Sequence, residues 1–309
     1  ADFFELLDSR ESGLASYSPF SFLRDCKPEM LFRDTFAGPL KKDISAGKAN
    51  LAREEVDGCR TWFVWRIPGW DSAYFNRKVV KVDLILPEHD SAEITGRAIN
   101  RFTEGIVGDN GYISINIPCE DLMLLRAMAL TGYRLVETRL NYYFNSFDKV
   151  LAPVAPARTA GIEDIPALRE VAMQMRNRFD RVHADPAFSD QVADDYLGTF
   201  IEQSVKGFAD MVMVPDMAGV RPFAFLASDY PADIIGFRIA KLVLAAADNR
   251  EHKGWLSKLL AAVLFELKKH NTDILTTITQ ASNRPAIRTW ENAGFRLGFV
   301  THLYSYSEK

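Results

Sequence analysis

Apolar and polar positions along this chain recur with two periods, and the switches between them mark out its elements. Residues 61–67 alternate and are aromatic-rich. Residues 79–86 place Val80, Val82, Leu84 and Leu86 on one side and Lys81 and Asp83 on the other; both stretches predict strands. Helical spacing follows over 94–106 and 121–130, with strands expected at 112–117 and 135–144. Further on, Asp164 followed by Ile165 and Pro166 has the N-cap and first-turn proline of a helix start. A helix over 194–206 and strands at 208–214, 222–228 and 233–247 come next. They lead to a long helix over 255–269, a β-branched strand over 273–279, a short helix around 286–290 and a last strand through Tyr304. Residues 1–60 read as mostly helical, broken at Ser18-Pro19, Lys27-Pro28 and Gly38-Pro39 and closed by a polar turn at 54–58.

Two of these stretches resemble each other. Strand, helix, glycine turn and long strand recur at one constant offset, which aligns Leu125 with Ile287, Gly132 with Gly294 and Tyr142 with Tyr304. Two related α/β halves explain this better than chance convergence on a common unit. The Pro/Ala-rich run Ala152-Pro153-Val154-Ala155-Pro156-Ala157 is the clearest linker. The expected organisation is a mostly helical N-terminal extension over 1–60, a half-domain over 61–150, a linker over 151–157 and a second domain over 158–309.

Composition narrows the class without naming it. The 309 residues are 48% hydrophobic and 25% charged, an ordinary globular balance. The net charge of −4 argues against a nucleic-acid partner. No apolar run approaches the ~20 residues of a membrane helix, and no basic segment with an apolar core opens the sequence. Cys26, Cys59 and Cys119 are odd in number and lack zinc spacing. A cytoplasmic protein with reduced thiols and no bound metal is the expectation, with a homodimer left open.

The chemistry concentrates in residues 239–304. A strand feeds a charged loop ending in Gly254, which opens the helix over 255–269. Free N–H groups at such a helix start suit an anionic cofactor. This stretch resembles the GCN5-related N-acetyltransferase (GNAT) superfamily. The resemblance covers roughly residues 158–309 and rests on three features: the strand–glycine loop–helix, Asn283 with Ala286, and Glu291-Asn292-Ala293-Gly294-Phe295. Arg178-Phe179, Asp185-Pro186, Phe188, Tyr196, Glu202-Gln203-Ser204 with Gly207, and Trp70-Asp71-Ser72 with Phe75 are similar to the dTDP-fucosamine acetyltransferase group.

The resemblance implies a GNAT-type mixed α/β fold, a mostly antiparallel sheet flanked by helices, preceded by a degenerate GNAT-like N-terminal half. It implies acetyl-CoA, or another acyl-CoA, as cofactor. It also implies direct transfer of the acyl group to a small-molecule amine, a nucleotide-linked amino sugar in that group. The cofactor would lie along Leu244 and Ala246, where a backbone N–H stabilises the developing oxyanion. Its pyrophosphate would meet Arg250, His252, Lys253, Gly254, Trp255, Leu256 and Ser257, with Asn283 and Ala286 beside its arm. Asn283 reads equally well as a helix N-cap. Arg178, His183, Asp185 and Tyr196 are the candidate acceptor contacts. Three positions depart from the superfamily pattern: Glu251 and Leu256 in the loop, and Trp290 where many members carry an acidic tyrosine. Tyr304, Tyr306 and His302 are the candidates to replace that acid, unless they simply pack a strand. The departures keep two alternatives open, a non-catalytic acyl-CoA-binding protein and an acyltransferase acting on a protein or peptide amine.

Overall fold

The computed structural model describes residues 2–108, 110–248 and 253–308. The N-terminal helices are α1 (Phe3–Ser9), α2 (Pro28–Phe32) and α3 (Gly38–Ser45). Next come β1 (Asn50–Val56), β2 (Cys59–Arg66), α4 (Gly69–Tyr74), β3 (Val79–Pro87), α5 (Ala92–Val107), β4 (Tyr112–Pro118), α6 (Leu122–Met128) and β5 (Arg134–Phe144). The remainder is β6 (Ala157–Thr159), α7 (Ile165–Gln174), α8 (Asp190–Gln203), β7 (Met211–Pro215), β8 (Ala224–Ile234) and β9 (Phe237–Ala247). It ends with α9 (Trp255–Lys269), β10 (Ile274–Gln280), α10 (Arg284–Asn292) and β11 (Arg296–Ser307).

The chain divides into two compact units. The first holds Ala1–Arg139 and Gly298–Lys309, the second Leu140–Leu297. That division does not follow the linker at 151–157, and most of the last strand belongs with the first unit. Strand order in the first is β1-β2-β3-β4-β11-β5, in the second β5-β10-β9-β8-β7-β6. The mixed sheets are mostly antiparallel; β3–β4 and β9–β10 pair in parallel.

Both units repeat one plan. In the second, β9 and β10 pair over only three residues, Ile274 with Ile239 through Thr276 with Lys241, and then separate. The cause lies on the other edge of β9. Opposite β8, Leu242 faces Ser228 and Leu244 faces Ala227, so Val243 is an extra, bulged residue. The bulge reverses the alternation. Ala240 and Leu242 join the core under α9, whereas Val243, Leu244 and Ala246 turn toward the α7/α8 core and Ala245 and Ala247 return to the α9 side. In the first unit Asp83 is the bulged residue of β3 against β2, and β3 leaves β4 after Val82.

The two units part company at that opening. In the first, Leu84 and Leu86 lie in a core with Phe3, Leu7, Phe32 and Leu40 from the N-terminal helices. Tyr17 donates from its hydroxyl to Asp121 at 2.7 Å. Helix α5 is capped by Ser91, and the preceding Glu88 is held by Arg60 and Trp62. The N-terminal segment thus packs on the face of β3 that corresponds to the α7/α8 side of β9, and its Tyr17 reaches Asp121, the N-cap of α6.

Three expectations are corrected. Residues 50–56 form β1, and the turn narrows to Asp57-Gly58, both at positive φ as a two-residue hairpin requires. The strand expected over 233–247 breaks at Ile235-Gly236, again both at positive φ. The helix expected from Asp194 begins at Asp190, capped by Ser189.

Candidate functional site

The site is assembled from the carboxyl ends of β9 and β10 and the helices that follow them. Beyond Thr276 and Lys241, the facing edges of the two strands no longer form a ladder. Leu244 and Ala246 sit on this free stretch of β9, half-buried. Ile278 occupies the corresponding stretch of β10 and is 45% exposed, unusual for an isoleucine in mid-sheet and a sign that the space beside it is open.

Helix α9 starts where an anion would be bound. Its N-cap, Gly254, is left-handed (φ 78°, ψ 6°) and brings no side chain to satisfy the first N–H groups. A Cβ added there would meet nothing within 4 Å among the described residues, so the backbone is open to close approach from them. Lys253 and Ser257 are exposed. Trp255 is buried against Phe223, with Lys258 Nζ 4.6 Å above its ring. Leu256 packs against the α9 core, which removes the crowding that its size suggests. Arg250, His252 and the departing Glu251 lie outside the described residues.

Helix α10 closes the other side. Asn283 accepts from the Ala286 N–H at 3.3 Å, the N-cap its sequence suggests. The helix ends at Gly294 (φ 90°), with the Phe295 N–H donating to Trp290 O and the Gly294 N–H to Glu291 O. Trp290 is 4% exposed, packs on Phe295, and its Nε1 has no hydrogen-bond partner among the described residues.

The loop between α7 and α8 is organised by its own side chains. His183 contacts Asp180 Oδ2 at 2.7 Å and Asp194 Oδ1 at 3.0 Å, and Arg176 donates to Asp194 at 2.5 Å. Asp185 is buried and accepts from the Ala187 N–H; Tyr196 bonds Arg181. Asn177 accepts from Phe179 N–H and donates to Gln280 Oε1 at 2.6 Å, which ties the loop to the end of β10. Arg178 and Phe179 are exposed at the tip. Asn177 and Gln280 escape sequence reading, although an asparagine before Arg178-Phe179 is a turn signal.

Tyr304 and His302 are in the first unit. His302 Nδ1 lies 3.0 Å from Thr138 Oγ1, Tyr304 packs on that unit's core, and burial raises the Tyr304 hydroxyl above its ordinary value. Of the repeat-related pair, Tyr142 belongs to the second unit. Its hydroxyl donates to Glu291 at 2.9 Å and is pushed up to about 12 by burial and that carboxylate.

The Asp194 cluster yields a prediction. Burial pulls its carboxyl upward, but hydrogen bonds from Arg176 and His183 outweigh this and hold it below the ordinary carboxylate range. A depressed group contributes stability that is present above the unfolded value near ~4 and lost as pH falls through the folded one. Asp194→Ala is expected to lose about 2–3 kcal/mol at pH 7, less than for a fully buried pair, because Arg176 keeps 25% of its side chain exposed. Urea melts from pH 7 to 2 should show the gap closing in acid; a gap independent of pH would refute the assignment.

No family model and no curated protein matches this sequence. Its fold has relatives among solved structures. A GCN5-related N-acetyltransferase from Sphaerobacter thermophilus aligns with a TM-score of 0.57 and 14% identity, over 97% of this chain and 93% of the other. A tandem GNAT protein from the clavulanic acid biosynthesis pathway aligns at 0.50 and 13% identity, over 97% and 95%. A GCN5-related glucosamine N-acetyltransferase region of a fungal multi-domain GH3 β-N-acetylglucosaminidase gives 0.57 and 14%, over 97% of this chain and 37% of that protein. At such identities the likeness is one of fold. This chain has the GNAT fold, with a degenerate GNAT-like N-terminal half before the second.

Proposed function

We propose that this protein is an acyl-CoA-dependent N-acyltransferase whose second half carries the site, and that its acceptor is the amine of a nucleotide-linked amino sugar. The observation that carries the reading is the separation of β9 from β10 beside an α9 start whose N-cap, Gly254, offers no side chain. The open backbone at Gly254 fits a pyrophosphate, and the free edge of β9 fits amides that pair as an added strand.

Acyl-CoA supplies an activated thioester carbonyl. The N–H groups of Lys253, Gly254, Trp255 and Leu256 hold its phosphates, and the helix dipole adds to their pull. A backbone N–H in the stretch 244–246 donates to the carbonyl oxygen as negative charge develops there. Asn283 caps α10 through its oxygen and keeps its amide N–H groups for the cofactor arm. The acceptor amine must be neutral to attack, so its proton passes to a base or to water. Arg178 at the loop tip suits the acceptor's phosphates, with His183, Asp185 and Tyr196 shaping the loop that presents it. The relative described as a glucosamine N-acetyltransferase region supports an amino-sugar acceptor.

Trp290 favours a second reading. An indole in this place donates no proton to a departing thiolate, which suits a protein that binds acyl-CoA without turning it over. Free-thiol release from acetyl-CoA with dTDP-amino sugars, glucosamine and a lysine peptide separates the two. Turnover with the nucleotide sugar is expected. Release only with the peptide would reassign the acceptor, and binding without release on any amine would leave the non-catalytic reading.

A further inference from the structure

The second unit contains a groove of about 860 Å³ that lies mostly outside the proposed cofactor site. One wall is a stripe of α9 with Leu260, Ala261 and Leu264, and the other is the C-terminal half of α10 from Thr289 onward. Phe144 and Phe295 also line it. Residues 146–154 run alongside as a strap. Lys268 pins one end of the strap by donating to Asp148 O at 3.2 Å and Val150 O at 2.8 Å. The Asp216 N–H pins the other by donating to Pro156 O at 3.0 Å. Between these anchors Leu151 and Val154 are 81% and 102% exposed, although apolar.

The charge in the groove is one-sided. Among the described residues, Lys149 and Arg296 line it, no carboxylate does, and neither cation has a side-chain hydrogen bond or ion pair. Two unpaired cations beside an apolar trough of this size, within the ~300–1,000 Å³ usual for small-molecule sites, call for a ligand that is apolar along its body and anionic at one end. The groove is separate from the acyl-CoA site in its residues. Gly254, Trp255, Leu256, Asn283 and Ala286 do not line it, and among the described residues of that site Ser257 alone is shared. α10 is about 13 Å long, and the groove takes its C-terminal half whereas Asn283 stands at its start.

We infer that this groove is a second ligand site, for an amphipathic anion with an alkyl or aryl body and a carboxylate or phosphate head. Lys149 and Arg296 hold the head, Leu260, Ala261 and Leu264 take the body, and the strap closes over it through Leu151 and Val154.

Calorimetry on the intact chain tests this with dodecanoate, dodecyl phosphate and uncharged dodecanol, each below its micelle concentration, and with acetyl-CoA alongside. At least one of the two anions is expected to bind with one equivalent per chain, and which one binds identifies the head group. Ala261→Trp fills the groove and should abolish that binding. Lys149→Gln with Arg296→Gln, both at the surface and harmless to folding, should weaken it about tenfold or more without altering any binding of dodecanol. Acetyl-CoA binding should be unchanged in both variants. No anion binding to the native chain, or anion binding unaffected by both variants, would overturn the inference. So would joint loss of acetyl-CoA and anion binding in Ala261→Trp, which would make the groove part of the cofactor site. Failure of acetyl-CoA to bind the native chain counts against the proposed function alone, because the anion titrations are read independently.

Discussion

Trp290→Ala is expected to destabilise the second unit by about 3–5 kcal/mol, the usual loss for a large aromatic removed from a packed core. Trp290 is 4% exposed and sits in the core formed by Leu259, Val263, Leu275 and Phe295, so its removal leaves a cavity that helix α10 cannot fill. Trp290→Phe should stay within about 1 kcal/mol of the native chain. The smaller ring loses some packing, but it also removes an indole N–H that has no partner among the described residues and whose burial is unfavourable. Guanidinium melts of both variants check this. Equal losses for the two would mean that the N–H does make a stabilising bond, and the view of Trp290 as packing alone would fail.

Gly254→Val should lower acetyl-CoA affinity by about a hundredfold or more, with a much smaller effect on melting. Gly254 has φ 78°, a region that strains a β-branched residue by about 1–2 kcal/mol. Beyond its chain neighbours, no atom of the described residues lies within 4 Å of its missing Cβ, so the new side chain has room among them. The space it fills is the space a phosphate would take, and each charge-assisted bond lost there is worth about 1.5–3 kcal/mol. Calorimetry and a thermal melt on the same preparation separate the two effects. Affinity that falls only in step with stability would show that Gly254 serves the turn and not the ligand.

Much of this site is legible in the sequence because its signals are local. Helix α9 runs over 255–269 as its apolar spacing predicts, Asn283 caps α10, and Gly294 ends it. The bulge at Val243 is hidden because the run from Leu242 to Ala247 is apolar throughout, so a change of parity leaves no trace. The break at Ile235 is hidden because a β-branched residue is the least expected at positive φ. Strand β1 reads as helix or turn since Arg53, Glu54 and Glu55 lack β-propensity. Among the described residues it pairs with β2 alone, and charges protect such an edge. The placement of Tyr304 and His302 with the first unit depends on which strands β11 joins, a nonlocal choice that alternation along one strand does not encode. Lys149 and Arg296 stand far apart in sequence and are brought to one groove only by folding.

The proposal places acyl-CoA in the opening after the β9 bulge and none in the first half, where the stretch after the β3 bulge is packed against the protein's own N-terminal segment. Amide hydrogen exchange with and without saturating acetyl-CoA tests it most directly. Protection is predicted over residues 242–247 and 253–258, with residues 83–94 unchanged. Protection over 83–94, or none over 242–258, would contradict the account.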